Sequence, residues 1–344
     1  MQKEPPLLQS LAASIHACAQ SITAYCDEVH YPQASFEPDA PSTLLPSTAP
    51  QHLLDAQETL LESVVQLQHL AFDVSDFLPC QQVYYQQLSA LQWLCHFDIL
   101  SHIPPTMPVT YTSLASLASV PEPLLRRIAP MAITAAFLCS PSPNHLAHTR
   151  LSAAFAADPA LRDWLLYLAS ASAPTALKLT EATERWEETK KPEVTAYGLA
   201  MGTELGFFEH LKADPGRGKE FAGYMAAVGK SKGVSLDHLI NDFDWASLPD
   251  GGVVVDVGGS TGHASRTLAQ TFPHLRFIVQ DTPSTIATAL SQQPSPPSDR
   301  ITYTPHDFFT PQPVRNAAIY LLRAILLAPG NPALVSDSLM CHVQ

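Results

Sequence analysis

The chain has 344 residues, of which 46% are hydrophobic and 15% charged, as expected of a folded protein long enough for about two domains. Its formal net charge of −13 disfavours binding to nucleic acid or to an anionic membrane surface. No apolar run reaches the ~18 residues of a membrane helix, and the N-terminus predicts no secretory signal. The six cysteines are scattered, which predicts reduced thiols instead of a disulfide or zinc framework.

The N-terminal part of the chain predicts two amphipathic helices, over residues 6–28 and 52–72, because apolar residues recur there at helical spacing. Between them, residues 31–51 are rich in proline and predict an extended, partly mobile connector. We therefore interpret residues 1–80 as a helical extension that contains a proline-rich linker.

Residues 81–155 predict a winged-helix domain. The segment YYQQLSALQWLCHFDILSHI is an amphipathic helix stopped by two prolines, and TYTSLASLASV and PEPLLRRIAPMAITAAFL give two more helices. The following SPSPNHLAHTRLSAAF predicts a short two-stranded wing. The third helix offers only Arg126 and Arg127 to phosphate before the apolar AITAAFL. We expect this helix to pack in a subunit interface and not on DNA.

Residues 156–250 predict an all-helical bridge, and the pattern changes at Gly251. From there GGVVVDVGGSTGHASRTLAQTFPHLRFIVQD reads as strand, glycine-rich turn, helix and strand, and ITYTPHDFF and AAIYLLRAIL add two strands. Continuous apolar runs such as VVVDV are typical of parallel strands that are covered on both faces. The predicted fold class is mostly α plus α/β, with a Rossmann-like domain over residues 251–344.

The glycine-rich turn is the motif that points to a ligand. Gly258, Gly259 and Gly262 follow a strand and open a helix, where glycine permits a tight turn and a close approach to the main chain. A dinucleotide fingerprint would need its first glycine at Val257. Hydride transfer to a nicotinamide dinucleotide is therefore disfavoured.

Two aspartates end the next strands. Asp281 can accept hydrogen bonds from both hydroxyls of a ribose, and Asp307 follows the third strand, near where an adenine would lie. A strand, D-x-G-G-x-x-G, a helix and a second strand ending in Asp favour S-adenosylmethionine (SAM). A sheet with another ligand, or with none, remains the alternative.

The order of these elements resembles that of the fungal two-domain O-methyltransferases of secondary metabolism, from about residue 80 to Leu326. DVGGSTGHAS, FIVQD, HDFF and YLLRAIL are the matching stretches of the C-terminal part. LQWLCHFDILSHIP, SAPTALKLTEATERW and GVSLDHLINDFDWASL are similar to the methyltransferase-like co-regulators that accompany zinc-cluster transcription factors in aromatic polyketide gene clusters, the aflatoxin-pathway coactivator type.

The resemblance implies a role for particular residues and partners. It assigns the SAM-binding positions of the family, with a vestigial site expected here, to the following residues: Asp256, Gly258, Gly259, Gly262, Asp281 and Asp307. It also implies a zinc-cluster transcription factor as partner, a homodimer formed through the winged-helix domain, no direct contact with nucleic acid or membrane, and a location in the nucleus.

One departure from the family bears on catalysis. The family follows R-A-I-L with H-D-W, whose His is the general base, whereas this chain reads Leu327-Ala328-Pro329, and none of these side chains accepts a proton. The substitutes by residue type are His263, His306 and His342. The resemblance therefore implies no catalytic residue.

The last residues of the sequence predict an unfinished sheet. Two apolar runs, Ile319–Leu326 and Ala333–Leu339, are separated by LAPGNP, which is too short for the crossover between parallel strands. We expect that a deletion removed the crossover helix and the His, and that an early stop left a sheet edge prone to association.

Three functions remain open from the sequence. The first expectation is a non-catalytic transcriptional coactivator. The alternative is a SAM-dependent O-methyltransferase that acts on a polyketide phenol, and the third is an enzyme of this fold that uses the cofactor for other chemistry.

Overall fold

The computed structural model describes residues 5–187, 191, 193–230, 236–241, 243–291 and 299–323. The chain divides into two compact units, residues 1–170 and 171–344. The finer division predicted from the sequence, with boundaries after residues 80, 155 and 250, stays a prediction.

The first unit is mainly helical. Its α-helices are α1 Leu7–Glu28, α2 Gln51–Ala71, α3 Phe77–His96, α4 Tyr111–Leu117, α5 Glu122–Thr134, α6 Arg150–Ala157 and α7 Pro159–Tyr167. Helices α1 and α2 confirm the two amphipathic helices that the apolar spacing predicts. They pack against each other, and the Ser14 and Ser63 hydroxyls lie 3.2 Å apart at their contact.

The proline-rich connector between α1 and α2 contains no helix, as predicted, but it is packed instead of loose. Leu45 is only 1% exposed and joins Ile22, Cys26 and Leu53 in a small apolar core. The Tyr31 hydroxyl lies 2.8 Å from the Thr43 hydroxyl across the connector. Burial of apolar side chains that lie between the prolines thus packs the connector against α1 and α2.

Residues 109–148 contribute a small antiparallel sheet of order β1-β3-β2, formed by β1 Val109–Thr110, β2 Leu138–Cys139 and β3 His145–His148. The predicted wing was wrong in its bounds. Its first strand lies before SPSPNHLAHTRLSAAF, and RLSAAF forms α6 because Thr149 and Ser152 make a capping box at the helix start. The winged-helix assignment itself stays a prediction.

The apolar end of α5 and the residues after it do not form a free surface. Ala132, Phe137 and Leu138 are buried in the core of the first unit, so AITAAFL is occupied within its own unit. Arg126 donates to Glu122 at 2.7 Å and to Asn144 at 2.9 Å. Part of this stretch is therefore used in the core of its own unit, and the subunit interface and the dimer both remain predictions.

The second unit begins with the helical bridge. Its helices are α8 Ala173–Leu177, α9 Leu179–Trp186, α10 Ala196–Met201, α11 Phe207–Ala213, α12 Pro215–Lys230, α13 Leu236–Asn241, α14 His263–Thr271 and α15 Pro283–Ser291. Sequence reasoning missed α15, although Thr282-Pro283 is a helix-start signal, since proline is favoured at the first helical position.

A four-stranded parallel sheet forms the core of the second unit. Its strands are β4 Val253–Val257, β5 Arg276–Asp281, β6 Ile301–Pro305 and β7 Ile319–Leu321, in the order β6-β5-β4-β7. The strands confirm the predicted α/β pattern. Because the strands are parallel, the turns that follow them meet at one edge, where open α/β sheets bind ligands.

A buried apolar cluster packs side chains of the sheet, Val254 and Phe277, together with Trp245 and Leu268. The Trp245 indole N–H donates to the Leu239 carbonyl at 2.6 Å, which satisfies the polar atom of the largest buried side chain. Within the described ranges, no helix combines the length and apolarity needed to cross a bilayer. Leu327-Ala328-Pro329, His342 and the run Ala333–Leu339 lie outside the described residues, and so does the predicted deletion.

Candidate functional site

The glycine-rich turn leaves β4 and enters α14 through three residues with left-handed backbone conformations. Gly258 has φ +67°, Ser260 φ +53° and Gly262 φ +79°. Side chains with a Cβ rarely adopt these angles, so glycine at 258 and 262 avoids strain. Ser260 is the exception, and its backbone N–H is held by a carboxylate from the neighbouring strand.

That carboxylate belongs to Asp281, the last residue of β5. Its Oδ2 accepts from the Ser260 N–H at 2.9 Å and its Oδ1 from the Thr282 N–H at 2.7 Å. The Asp281 side chain is partly exposed. A carboxylate has about four lone-pair positions, so both oxygens keep capacity for further donors such as ribose hydroxyls. Asp281 therefore joins the turn to the strand edge and keeps a partly exposed carboxylate there.

Asp256 lies beneath the turn and does not face the ligand side. Its side chain is 2% exposed, and its Oδ2 accepts from the Ser265 hydroxyl at 2.6 Å. A Cβ on Gly259 would come within 2.5 Å of the Asp256 carboxyl carbon. The Asp256 carboxyl group therefore leaves no room for a Cβ at position 259, and Asp256 helps to shape the turn.

Gly262 is packed just as tightly, against Tyr303 of β6. A Cβ there would lie 2.7 Å from the Tyr303 hydroxyl. The Tyr303 hydroxyl donates to the Thr261 carbonyl at 3.3 Å, and Arg266 donates to the same carbonyl and to the Tyr303 oxygen. Sequence reasoning missed Tyr303 and Arg266, since the turn motif gives no sign of a bracing side chain from a distant strand.

Asp307 follows β6 at the same edge and is exposed. Its Oδ1 accepts from the Phe309 N–H at 3.0 Å, and its carbonyl accepts from the Thr310 N–H at 2.9 Å. These local bonds form a turn that presents Phe308 and Phe309, whose ring centroids lie 4.7 Å apart. The structure therefore brings Asp307 to the same edge as Asp281, as the parallel strands predict.

Two of the three histidines considered as substitute bases can be placed. His263 is the exposed first residue of α14. The Nε2 atom of His306 is buried and has no hydrogen-bond partner in the described part of the chain. His306 Nε2 is thus shielded from solvent in this conformation, and no contact of the described residues assigns it a role as a base.

These contacts fit an adenosyl ligand. The turn offers main-chain groups without a Cβ in the way, Asp281 offers a partly exposed carboxylate, and Phe308 and Phe309 offer apolar ring faces in the segment that follows β6. This combination of a ribose acceptor and aromatic faces at the carboxyl edge of parallel strands suits a nucleoside.

The burial of Asp256 leads to a prediction about pH. Desolvation raises the pKa of its carboxyl, against the opposing effects of Ser265 and Arg323. The folded chain therefore holds a proton more tightly than the unfolded chain, so stability falls as pH rises from about 3.9 through the raised pKa, and stays lower above it. We expect Asp256→Asn to raise the melting temperature at pH 8 and to lose this advantage near pH 4.

Thermal melts of the two forms at both pH values check this expectation. The matched control is Asp250→Asn, which removes the same charge at an exposed position. A stabilisation by Asp256→Asn that is equal at both pH values, or one shared by the control, would contradict the role assigned to desolvation.

The comparisons with known proteins agree with this geometry. Residues 180–329 match the family model described as O-methyltransferase domain. The O-methyltransferase VdtC of Byssochlamys spectabilis is 48% identical over 326 residues, which cover 93% of this chain and 75% of VdtC. The O-methyltransferase aurJ of Gibberella zeae is 40% identical over 331 residues, which cover 94% of this chain and 75% of aurJ.

The solved structures show the same architecture. The crystal structure of OxaC in complex with SAH and oxaline superimposes with a TM-score of 0.60 at 18% identity, over 91% of this chain and 74% of OxaC. At this identity the match concerns the fold alone. The second unit thus has the class I methyltransferase fold, with a parallel sheet and abundant helices.

The relatives then identify the family. This chain belongs to the O-methyltransferase family. The narrower resemblance to transcriptional co-regulators finds no support in these comparisons, since the relatives named above are O-methyltransferases.

Proposed function

We propose that this chain is a SAM-dependent O-methyltransferase that acts on a phenolic hydroxyl of an aromatic polyketide. The observation that carries the proposal is the Ser260 N–H bond to Asp281, at 2.9 Å, which fixes the glycine-rich turn beside a carboxylate that still has free lone pairs. The names of the relatives support the reaction class. The resemblance to enzymes of fungal secondary metabolism supports the phenol.

The residues of the second unit would divide the work as follows. Asp281 would hold the ribose hydroxyls, the turn Gly258–Gly262 would lie against the amino-acid part of the ligand, and Asp307 would face the adenine. When bound, SAM would supply a methyl group on a sulfonium sulfur; the phenol oxygen would take this methyl group, the S–CH3 bond would break to leave SAH, and the phenol proton would pass to a base. A complete turn and ribose acceptor argue for cofactor binding in the ordinary range, against the sequence-based expectation of a vestigial site.

The proton acceptor of the family is replaced in this chain. Leu327 stands where the family's base would be, and it cannot take a proton. This residue is the one observation that favours the second candidate, a non-catalytic co-regulator. The two functions therefore differ in a measurable way: both allow cofactor binding, but only the enzyme gains turnover when a base is returned to position 327.

We expect Leu327→His to increase methyl transfer by about 10²-fold or more, the contribution typical of a positioned general base. The assay follows labelled methyl groups from SAM to catechol and to 1,8-dihydroxyanthraquinone. The rate of the variant should rise with pH through the titration of an imidazole, near 6.5, whereas the parent should lack this step. Leu327→Gln is the matched control, since it is polar without being a base.

Calorimetry with S-adenosylhomocysteine (SAH) separates the possible failures. Binding of SAH without methyl transfer in the parent or in Leu327→His would contradict the enzyme and favour the co-regulator. Absence of SAH binding in the parent would contradict the adenosyl site itself. Equal rates for Leu327→His and Leu327→Gln would show that position 327 does not supply the base.

A further inference from the structure

A buried amide lies directly next to the proposed ribose acceptor. Gln280 precedes Asp281 on β5 and is 1% exposed. Its neighbours on the strand with the same burial, Phe277 and Val279, are apolar. A buried amide without hydrogen bonds costs about 1–3 kcal/mol, so a glutamine at this position requires a specific partner.

That partner is Gln312, in the segment that follows β6. The Nε2 of Gln280 donates to the Oε1 of Gln312 at 2.8 Å, and the Nε2 of Gln312 donates to the Oε1 of Gln280 at 2.8 Å. Each amide thus acts as donor and acceptor toward the other. Such a pair fixes both the distance and the orientation of two chain segments that lie 32 residues apart.

The same segment is attached to the sheet at two further points. At its start, the His306 N–H donates to the Asp281 carbonyl at 2.9 Å. Toward its end, the Tyr320 hydroxyl donates to the Val314 carbonyl at 2.7 Å, and the Val314 N–H donates to the Gln312 Oε1 at 3.1 Å. The amide pair is the attachment between these two, and the residues between it and β6 include Asp307, Phe308 and Phe309.

We propose that the Gln280–Gln312 pair is a positioning device, which orients the segment Asp307–Thr310 toward the adenosine part of the cofactor. This inference rests on the proposed function. Its physical basis is directional: an apolar contact at position 280 would fill the same space but would leave the segment free to slide, whereas two reciprocal hydrogen bonds allow one orientation. Gln280 and Gln312 touch no ligand in this account and act through the segment.

The test uses methionine, which has nearly the shape of glutamine without its polar groups. Gln312→Met leaves the Gln280 amide buried without a partner, so we expect both a lower melting temperature and weaker SAH binding. In Gln280→Met/Gln312→Met the amide of Gln280 is no longer left buried without a partner, and replacing both partners of a hydrogen bond costs little stability. Both Gln312 variants remove the acceptor of the Val314 N–H, so that loss cancels when the two variants are compared. We expect the double variant to melt at a higher temperature than Gln312→Met while its SAH affinity stays about 10-fold below that of the parent.

A purely structural role predicts the opposite for the double variant, since affinity would then recover together with stability. Full recovery of SAH affinity would therefore overturn the proposal. Adenosine serves as a second probe. If the segment positions the adenosine part of the cofactor, the double variant should lose affinity for adenosine and for SAH by the same factor. An unchanged affinity for adenosine would also overturn the proposal.

The parent distinguishes this inference from the proposed function. If the parent chain fails to bind SAH, the proposed function itself is contradicted. If the parent binds SAH and the double variant binds it equally well, only the positioning role is lost.

Discussion

Replacement of Asp281 by alanine should abolish measurable SAH binding, with a loss of about 100-fold or more in affinity. Each hydrogen bond to a charged group contributes about 1.5–3 kcal/mol. In the variant, the ribose hydroxyls of SAH would lose the carboxylate that is proposed to accept them. The substitution would also remove the carboxylate that accepts hydrogen bonds from the Ser260 N–H at 2.9 Å and from the Thr282 N–H at 2.7 Å. The glycine-rich turn would then lose the contact that fixes its left-handed residue Ser260.

Calorimetric titration with SAH measures this loss, and two other aspartates calibrate it. Asp307→Ala removes an exposed carboxylate that accepts a hydrogen bond from the nearby Phe309 N–H, so we expect a smaller loss of SAH affinity, about 10-fold. Asp250→Ala changes an exposed carboxylate outside the site and should leave the affinity unchanged. Affinity within a factor of three for Asp281→Ala would contradict the assignment of the ribose acceptor.

Gly262→Ala should strongly destabilise the fold, with a loss of about 3 kcal/mol in the free energy of unfolding. About 1 kcal/mol arises from a Cβ at φ +79°. The rest arises from overpacking, which typically costs ~1–3 kcal/mol, because the new Cβ would lie 2.7 Å from the Tyr303 hydroxyl. Denaturant unfolding of the parent and the variant measures the difference.

Gly251→Ala is a matched control for the backbone term alone. Gly251 has φ +75°, but a Cβ there would meet nothing within 4 Å, so we expect a loss of only about 1 kcal/mol. Tyr303→Phe in the Gly262→Ala background should return part of the difference by removing the clashing oxygen. Equal losses for the two alanine variants would show that the contact with Tyr303 does not determine the choice of glycine.

The second unit was predictable because its sequence signals are local and dense. The runs VVVDV and RFIVQ predict buried parallel strands, and the glycines after β4 predict a turn that needs left-handed backbone. Parallel strands bring their carboxyl ends to one edge by necessity, so the sequence also predicts that Asp281 and Asp307 lie together. The helical bridge followed from its apolar spacing in the same way.

The errors occurred where long-range packing outweighs local pattern. The connector 31–51 looks unstructured by its prolines, yet Leu45 is buried because α1 and α2 offer it an apolar groove. RLSAAF looks like the return strand of a wing, but the capping box of Thr149 and Ser152 starts a helix. AITAAFL is expected at a subunit interface, and the core of its own unit already takes up Ala132, Phe137 and Leu138, so the interface stays a prediction.

The sequence by itself determined the class of the second unit, the glycine turn and the acidic residue at the end of β5, because these depend on backbone sterics and on the direction of parallel strands. Only the tertiary structure decided what each residue does. Asp256 proved to be a buried support because Gly259 lies over it, and the Tyr303 and Gln312 contacts join residues 41 and 32 positions apart. Side-chain contacts between distant segments produce no periodic pattern in a sequence, because they depend on how all the segments at the sheet edge pack together.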